Sequence, residues 1–142
     1  MLRVVLDASV LISGLLSPQG IPARLIHAWR EERFILCISK PILEEIAGAL
    51  RYPKLRVRHG LDDCQIDQLV ALFRGTALLT PAEHQLERVA ADPHDGKYLV
   101  CALEGEADYI VSGDQDLKAL ETFQGIPIVS PAVFWQILRG RL

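Results

Sequence analysis

Short apolar runs alternate along the chain with segments whose apolar residues recur every three or four positions. The runs 2–7, 34–38, 108–111 and 126–129 predict buried strands, and residues 77–79 predict a further short one. Because helical segments separate these strands, the pattern predicts an α/β fold. The expected architecture has three α/β/α layers around a central parallel sheet.

The segments between the strands carry helical periodicity. Ile66, Leu69, Val70 and Phe73, for example, recur at the three- and four-residue spacing of one helical face. Ser39 is expected to cap the helix that follows the second strand. Helices are predicted at 10–16, 22–29, 41–51, 66–73, 93–104 and 131–138, and a further short segment is predicted at 117–120. A length of 142 residues fits one domain, so residues 1–142 are predicted to form a single domain.

The composition narrows the class of protein. A net charge of -3 argues against a protein that coats nucleic acid or an anionic membrane through bulk charge. Cys37, Cys64 and Cys101 are odd in number and widely spaced, which fits neither a disulfide framework nor a zinc site. They are therefore expected to be buried, reduced thiols. No apolar run approaches a membrane span, and we expect a soluble, cytoplasmic protein without a membrane partner.

Acidic residues stand where strands of the predicted sheet end. Asp7 ends the first apolar run, and Asp114 follows the run Tyr109-Ile110-Val111 after only Ser112 and Gly113. The carboxyl ends of parallel strands form the ligand-binding edge of such a sheet. Carboxylates gathered there would repel one another unless a cation neutralised them. An all-oxygen set suits Mg²⁺ or Mn²⁺, so the sequence predicts a divalent-metal site.

Each acid also has an ordinary structural interpretation. Asp7, Asp92 and Asp114 each precede a predicted helix and are good N-cap residues. Asp95 and Asp116 lie in first helical turns, where a carboxylate favours the positive end of the helix dipole. The metal interpretation of Asp95 depends on its alignment with the inward-facing residues of its helix.

Helical geometry separates two adjacent glutamates. Each residue advances by about 100 degrees around an α-helix, which places Glu45 beside the buried face that Ile42 and Ala49 define. Glu44 points nearly the opposite way. Glu45 is therefore the candidate metal ligand, and Glu44 is expected to be solvated.

Four stretches of the chain resemble the PIN-domain family of metal-dependent nucleases. The opening VLDASVLISGLL (residues 5–16) is similar to the family's first strand and helix, and ILEEI (residues 42–46) to its acidic helix. The most specific stretches are DPHDGKYL (residues 92–99) and ADYIVSGDQDL (residues 107–117). They resemble the subgroup assigned as toxin components of toxin–antitoxin systems.

The resemblance implies a set of functional residues. It carries over the catalytic acidic quartet Asp7, Glu45, Asp95 and Asp114, with Asp116 as an additional metal ligand. The supporting residues are Ser9, Ser112 and Asp92. Ser9 stands where many members have Asn, and its hydroxyl can orient Asp7 or contact a ligand.

The implied activity is hydrolysis of RNA phosphodiester bonds with Mg²⁺ or Mn²⁺ as cofactor. The implied partners are an RNA substrate, a cognate antitoxin protein and a second copy of the chain in a homodimer. The alternative is a catalytically weak or inactive PIN-fold module that binds RNA or protein. A phospho-accepting signalling domain fits less well, because no Lys ends a late strand.

A basic run follows the Glu45 helix. Arg51, Lys54, Arg56, Arg58 and His59 either contact phosphates or belong to a solvated loop. Two tryptophans, Trp29 and Trp135, lie in helical apolar patterns, which favours core or dimer-interface positions over base stacking.

Overall fold

A computed structural model of the chain describes residues 1–84 and 96–140. The strands are β1 Arg3–Leu6, β2 Ile35–Ser39, β3 Leu78–Thr80, β4 Tyr109–Val111, β5 Thr122–Phe123 and β6 Ile126–Val129. The helices are α1 Ala8–Leu16, α2 Ile21–Arg30, α3 Lys40–Leu50, α4 Pro53–His59, α5 Asp63–Thr76, α6 Gly96–Glu104, α7 Gln115–Ala119 and α8 Pro131–Arg139. None of the helices in this part of the chain is long and apolar enough to cross a membrane.

The strands form one sheet in the order β3-β2-β1-β4-β6-β5. All neighbouring pairs are parallel except β5 and β6. Val5 of β1 lies beside Cys37 on one side and Ile110 on the other. From β1 the chain continues to β2 on one side of β1, and β4 is later added on the other side. Open α/β sheets form a crevice at such a switch point. The predicted three-layer fold with a central parallel sheet is confirmed.

The core consists of the central strands and the helices packed against them. Val4, Val5 and Leu6 are almost completely inaccessible to solvent, which agrees with the unbroken apolar run of β1. Trp29 stacks on Phe73 with ring centroids 5.2 Å apart, so this tryptophan belongs to the core. Burial of each such side chain contributes about 1.5–3 kcal/mol.

Close packing of α1 against α2 depends on Gly14. A Cβ atom at this position would overlap Cδ1 of Ile26 and lie 2.8 Å from the carbonyl oxygen of Pro22. Any larger residue would push α2 away. This contact fixes α1, whose first turn follows Asp7.

The sequence prediction missed two elements. Lys54, Arg56, Arg58 and His59 of the basic run lie on helix α4 (Pro53–His59), rather than in a loop, and Gly60 caps this helix in the left-handed conformation. The short strand β5 pairs with β6 through a turn at Gln124 and Gly125. Both turn residues have positive φ, as a tight two-residue hairpin requires.

Two local expectations were wrong. Ser39 occupies the N-cap position of α3 but makes no capping hydrogen bond, and its hydroxyl is buried without a partner among the described residues. Cys37 and Cys101 are buried as predicted, whereas Cys64 is exposed, because it lies on the outer side of α5.

Candidate functional site

Asp7 lies at the carboxyl end of β1 and is almost fully buried. Its Oδ1 accepts hydrogen bonds from the Ser9 hydroxyl and the Val10 amide, both at 2.8 Å, and its Oδ2 accepts one from the Ser112 hydroxyl. The N-cap interpretation of Asp7 is therefore correct, and Ser9 does orient it. Three donors offset the cost of burying this carboxylate.

Ser112 connects Asp7 to the turn that carries the last two acids. Its hydroxyl oxygen accepts a hydrogen bond from the amide of Asp114 at 2.9 Å, and the hydroxyl donates a hydrogen bond to the Asp7 carboxylate. Asp114 caps α7, since its Oδ1 accepts the amides of Asp116 at 2.7 Å and Leu117 at 3.2 Å. The side chains of Asp114 and Asp116 are exposed at the surface.

Glu45 and Glu44 differ as helical geometry predicted. Oε1 of Glu45 forms an ion pair with the Lys97 ammonium at 3.0 Å. The same oxygen accepts a hydrogen bond from the Tyr98 phenol. Within residues 1–84 and 96–140, the only ion pair of Glu44 is a long one with Lys40, at 3.9 Å. Their side chains are 38% and 66% exposed, respectively. Glu45 therefore faces Lys97 and Tyr98 of α6, whereas Glu44 faces solvent.

The prediction missed Lys97 and Tyr98, which both contact the Glu45 carboxylate. Tyr98 also accepts the amide of Ala8 at 3.1 Å, so α6 links α3 to the start of α1. Burial, then the bond to Glu45, raises the pKa of Tyr98 and keeps its phenol protonated. A usable signal existed, because Tyr98 lies one turn before the inward-facing Ala102, and a buried phenol needs a partner.

Two predicted residues, Asp92 and Asp95, lie outside the described residues. The chain approaches this segment through a turn that Glu104 holds. The Glu104 carboxylate accepts the amides of Ala82, Glu83 and His84 at 2.8, 2.9 and 3.0 Å. Glu104 belongs to α6, which also carries Lys97 and Tyr98.

The donor chemistry of this edge suits a hard divalent cation. The Asp7 carboxylate contacts the Ser112 hydroxyl, and the backbone of Asp114 donates to that hydroxyl, so oxygen ligands of the kind that Mg²⁺ and Mn²⁺ prefer lie along this edge. Within residues 1–84 and 96–140, however, no three acidic, histidine or cysteine side chains are grouped closely enough to hold a metal ion. Asp95, which the resemblance adds to the ligand set, lies outside these residues, so the metal site stays a prediction.

Two arginines of the basic run are less available for phosphate contacts than the sequence suggested. Arg51 pairs with Asp63 at 3.1 Å and with Asp67 at 2.7 Å, and Arg56 also pairs with Asp63. The hydrogen bond from Arg56 is the main reason that the pKa of Asp63 is lowered. Lys54 and Arg58 are exposed and form no ion pair within the described part of the chain.

A cavity of about 470 Å³ lies at the opposite end of the sheet. It includes Met1 and Ile35, which lie at the amino ends of the strands. None of the predicted site residues lines it. Its lining consists of Met1, Trp29, Arg30, Glu32, Phe34, Ile35, Leu36, Leu72 and Thr76. The cavity is therefore separate from the acidic edge.

Comparisons with known proteins agree with this fold. A family profile described as PIN domain matches residues 3–116. The uncharacterized protein MJ1680 of Methanocaldococcus jannaschii is 33% identical over 119 residues, which are 84% of this chain and 75% of that protein.

Two solved structures share the fold at low sequence identity. One is VapBC2 from Rickettsia felis, bound to a DNA fragment from its promoter: TM-score 0.59, 10% identity, 91% of this chain and 98% of the other. The other is FitAB bound to an IR36 DNA fragment: TM-score 0.54, 19% identity, 90% and 94% coverage. At these identities the likeness concerns the fold alone.

Proposed function

The chain belongs to the PIN domain family, whose members are generally nucleases, and we propose that it is a divalent-metal-dependent ribonuclease. The observation that carries this proposal is the hydrogen-bond network at the carboxyl edge of the sheet. Through Ser112, the network joins Asp7 to Asp114, and through Tyr98 it joins the start of α1 to Glu45. These are three of the acids that the family resemblance assigns to catalysis.

The residues of this chain would hold and orient the reacting groups. Asp7 and Asp114 would be the central ligands of the cation. The additional ligands would be Glu45, Asp95 and Asp116. When bound, Mg²⁺ or Mn²⁺ supplies Lewis-acid stabilisation of a phosphodiester and an activated water. The Ser9 and Ser112 hydroxyls fix the orientation of Asp7, because both donate to its carboxylate.

We also propose the biological setting of the activity. The chain would be the toxin of a toxin–antitoxin pair, acting on RNA and bound by a cognate antitoxin, since two structures with the same fold are toxin–antitoxin complexes. Residues 1–142 would act as a single domain, because β1 pairs with β2 and with β4 and so joins both halves of the chain. The protein would form a homodimer.

The alternative function is a PIN-fold module that binds RNA or protein without cleaving it. Lys97 favours this alternative, because its ammonium already neutralises Glu45 at 3.0 Å. Binding of RNA without cleavage, unchanged by metal or chelator, would identify this function.

Cleavage of a mixed RNA substrate with Mg²⁺, with Mn²⁺ and with a chelator tests the proposed function. The matched variant is Asp114→Asn, because Asn caps helices about as well as Asp and only the charge is lost. The wild type should cut RNA only with metal, and Asp114→Asn should be severely impaired while melting normally. Equal cleavage by both proteins, or cleavage in the chelator, would reject the proposal. A DNA substrate in the same assay defines the range of substrates.

A further inference from the structure

The Tyr98 phenol forms hydrogen bonds with both Glu45 of α3 and the first residue of α1. Tyr98 is 5% exposed and lies on α6. Its oxygen lies 3.1 Å from the amide nitrogen of Ala8, the residue after Asp7, and its hydroxyl also contacts Oε1 of Glu45. The phenol therefore connects the Glu45 carboxylate to the backbone amide of the residue that follows Asp7.

The direction of both hydrogen bonds follows from the chemistry of the partners. The Ala8 amide can only donate, so the phenol oxygen accepts from it. The single phenol proton is then left for the Glu45 carboxylate. A carboxylate that accepts from a buried donor is fixed in orientation as well as in position.

Glu45 needs such an anchor because it reaches the site from the side of a helix. Its side chain has several rotatable bonds and is 38% exposed. Ordering a glutamate side chain costs conformational entropy, which lowers its affinity for a cation unless the order exists beforehand. Lys97 also contacts Oε1, but its flexible stem holds an orientation less firmly than the buried ring of Tyr98 does.

We propose that Tyr98 is a positioning residue for the metal site, which acts by holding the Glu45 carboxylate against the amino-terminal end of α1 beside Asp7. This inference rests on the proposed function, because it requires that Glu45 helps to bind the cation. It assigns to Tyr98 no contact with the substrate. Loss of the hydroxyl should weaken binding of the cation and leave the chemical step intact once the cation is bound.

The test is a titration of Tyr98→Phe with manganese in the absence of RNA. Electron paramagnetic resonance measures how much manganese is bound. The variant keeps the ring and loses only the hydroxyl. We expect about tenfold weaker manganese binding, the size of effect usual for groups that orient metal ligands. The matched control is Thr80→Val, which removes a buried hydroxyl whose partners are Ile38 and Cys101. Thr80→Val should bind manganese like the wild type.

Two further readouts separate positioning from a general structural role. Saturating manganese should restore single-turnover RNA cleavage by Tyr98→Phe to near the wild-type rate. In a double-mutant cycle with Glu45→Gln, adding Tyr98→Phe should cause no further loss of manganese affinity, because the phenol acts through Glu45. Thermal melts confirm that each variant is folded at the temperature of titration.

The outcomes distinguish this inference from the proposed function. If the wild type binds manganese and cleaves RNA while Tyr98→Phe binds manganese equally well, the positioning role is wrong and the proposed function stands. Additive losses in the cycle, or cleavage that saturating manganese does not restore, would also overturn it. A wild type that binds no manganese overturns both.

Discussion

The hydroxyl of Ser112 donates a hydrogen bond to Oδ2 of Asp7, although the two residues are 105 positions apart in the sequence. The same hydroxyl accepts the amide of Asp114 at 2.9 Å. One small side chain therefore fixes the ends of β1 and β4 relative to each other. Through this contact, and because β1 and β4 pair in parallel, Asp7 and the turn that carries Asp114 lie at the same edge of the sheet.

Replacement of Ser112 by alanine should affect both stability and metal binding. It removes one of the donors to a buried carboxylate, which should lower the free energy of unfolding by about 1–3 kcal/mol. Manganese affinity should fall about tenfold because Asp7 is less firmly oriented. Chemical denaturation and manganese titration measure the two effects.

The control for this prediction is Ser130→Ala. Ser130 caps α8 by accepting the amide of Val133 at 3.2 Å, so its loss should cost about 1 kcal/mol of stability and leave manganese binding unchanged. Equal manganese affinity of Ser112→Ala and the wild type would show that the contact of Ser112 with Asp7 is purely structural.

The three thiols should differ sharply in reactivity. Burial raises the pKa of Cys37 to about 11 and that of Cys101 to about 12, while Cys64 is exposed. Because the thiolate is the reacting form, iodoacetamide at pH 8 should modify Cys64 alone. Mass spectrometry should find one adduct on the native protein and three after denaturation.

The raised pKa values of Cys37 and Cys101 also determine how the stability of the folded protein depends on pH. Both raised pKa values favour the protonated thiol in the folded protein. Their contribution to stability is present below the ordinary cysteine pKa and is lost as the pH rises towards 11 and 12. Rapid native labelling of Cys37 or Cys101 at pH 8 would contradict their burial.

Lys54 and Arg58 should provide the phosphate contacts of the basic helix α4. Replacement of both by glutamine should lower the dependence of RNA affinity on salt, with a slope smaller by about 1.4, since each single-strand phosphate contact contributes about 0.7. Filter binding with an inactive variant over a range of salt concentrations measures this slope.

Two comparisons make the salt experiment specific to α4. Arg24→Gln removes an exposed charge on α2 and should leave the slope unchanged. Arg51→Gln should mainly reduce stability, because Arg51 is engaged with Asp63 and Asp67. A slope that stays the same in the Lys54/Arg58 variant would place the RNA on another surface.

Sequence patterns predicted the elements that have a strong apolar signal. The bounds of β6 agree with the apolar run 126–129, and the centre of α5 agrees with the spacing of Ile66 and Phe73. Helix α4 has no fully buried residue, so it carries no apolar period and was missed. Strand β5 has only two residues, too few for alternation to appear.

The candidate site was predictable where local geometry decides the outcome. The two faces of α3 separated Glu45 from Glu44, and the strand ends indicated that Asp7 and the turn before Asp114 lie at the same edge of the sheet. The contact of Tyr98 with Glu45 depends on how α3 and α6 approach each other, which no local pattern specifies. The pairing of Arg51 with Asp63 likewise depends on the unpredicted helix between α3 and α5.

The most direct test of the account compares manganese binding and single-turnover RNA cleavage by Glu45→Gln and Glu44→Gln. Glu45→Gln keeps the shape of the side chain and removes its charge, so binding and cleavage should both fall strongly while the fold is retained. Glu44→Gln should stay near wild type and change stability by no more than about 0.5 kcal/mol, as is usual for an exposed position. Equal losses in both variants, or a loss in Glu44→Gln alone, would contradict this placement of the metal site.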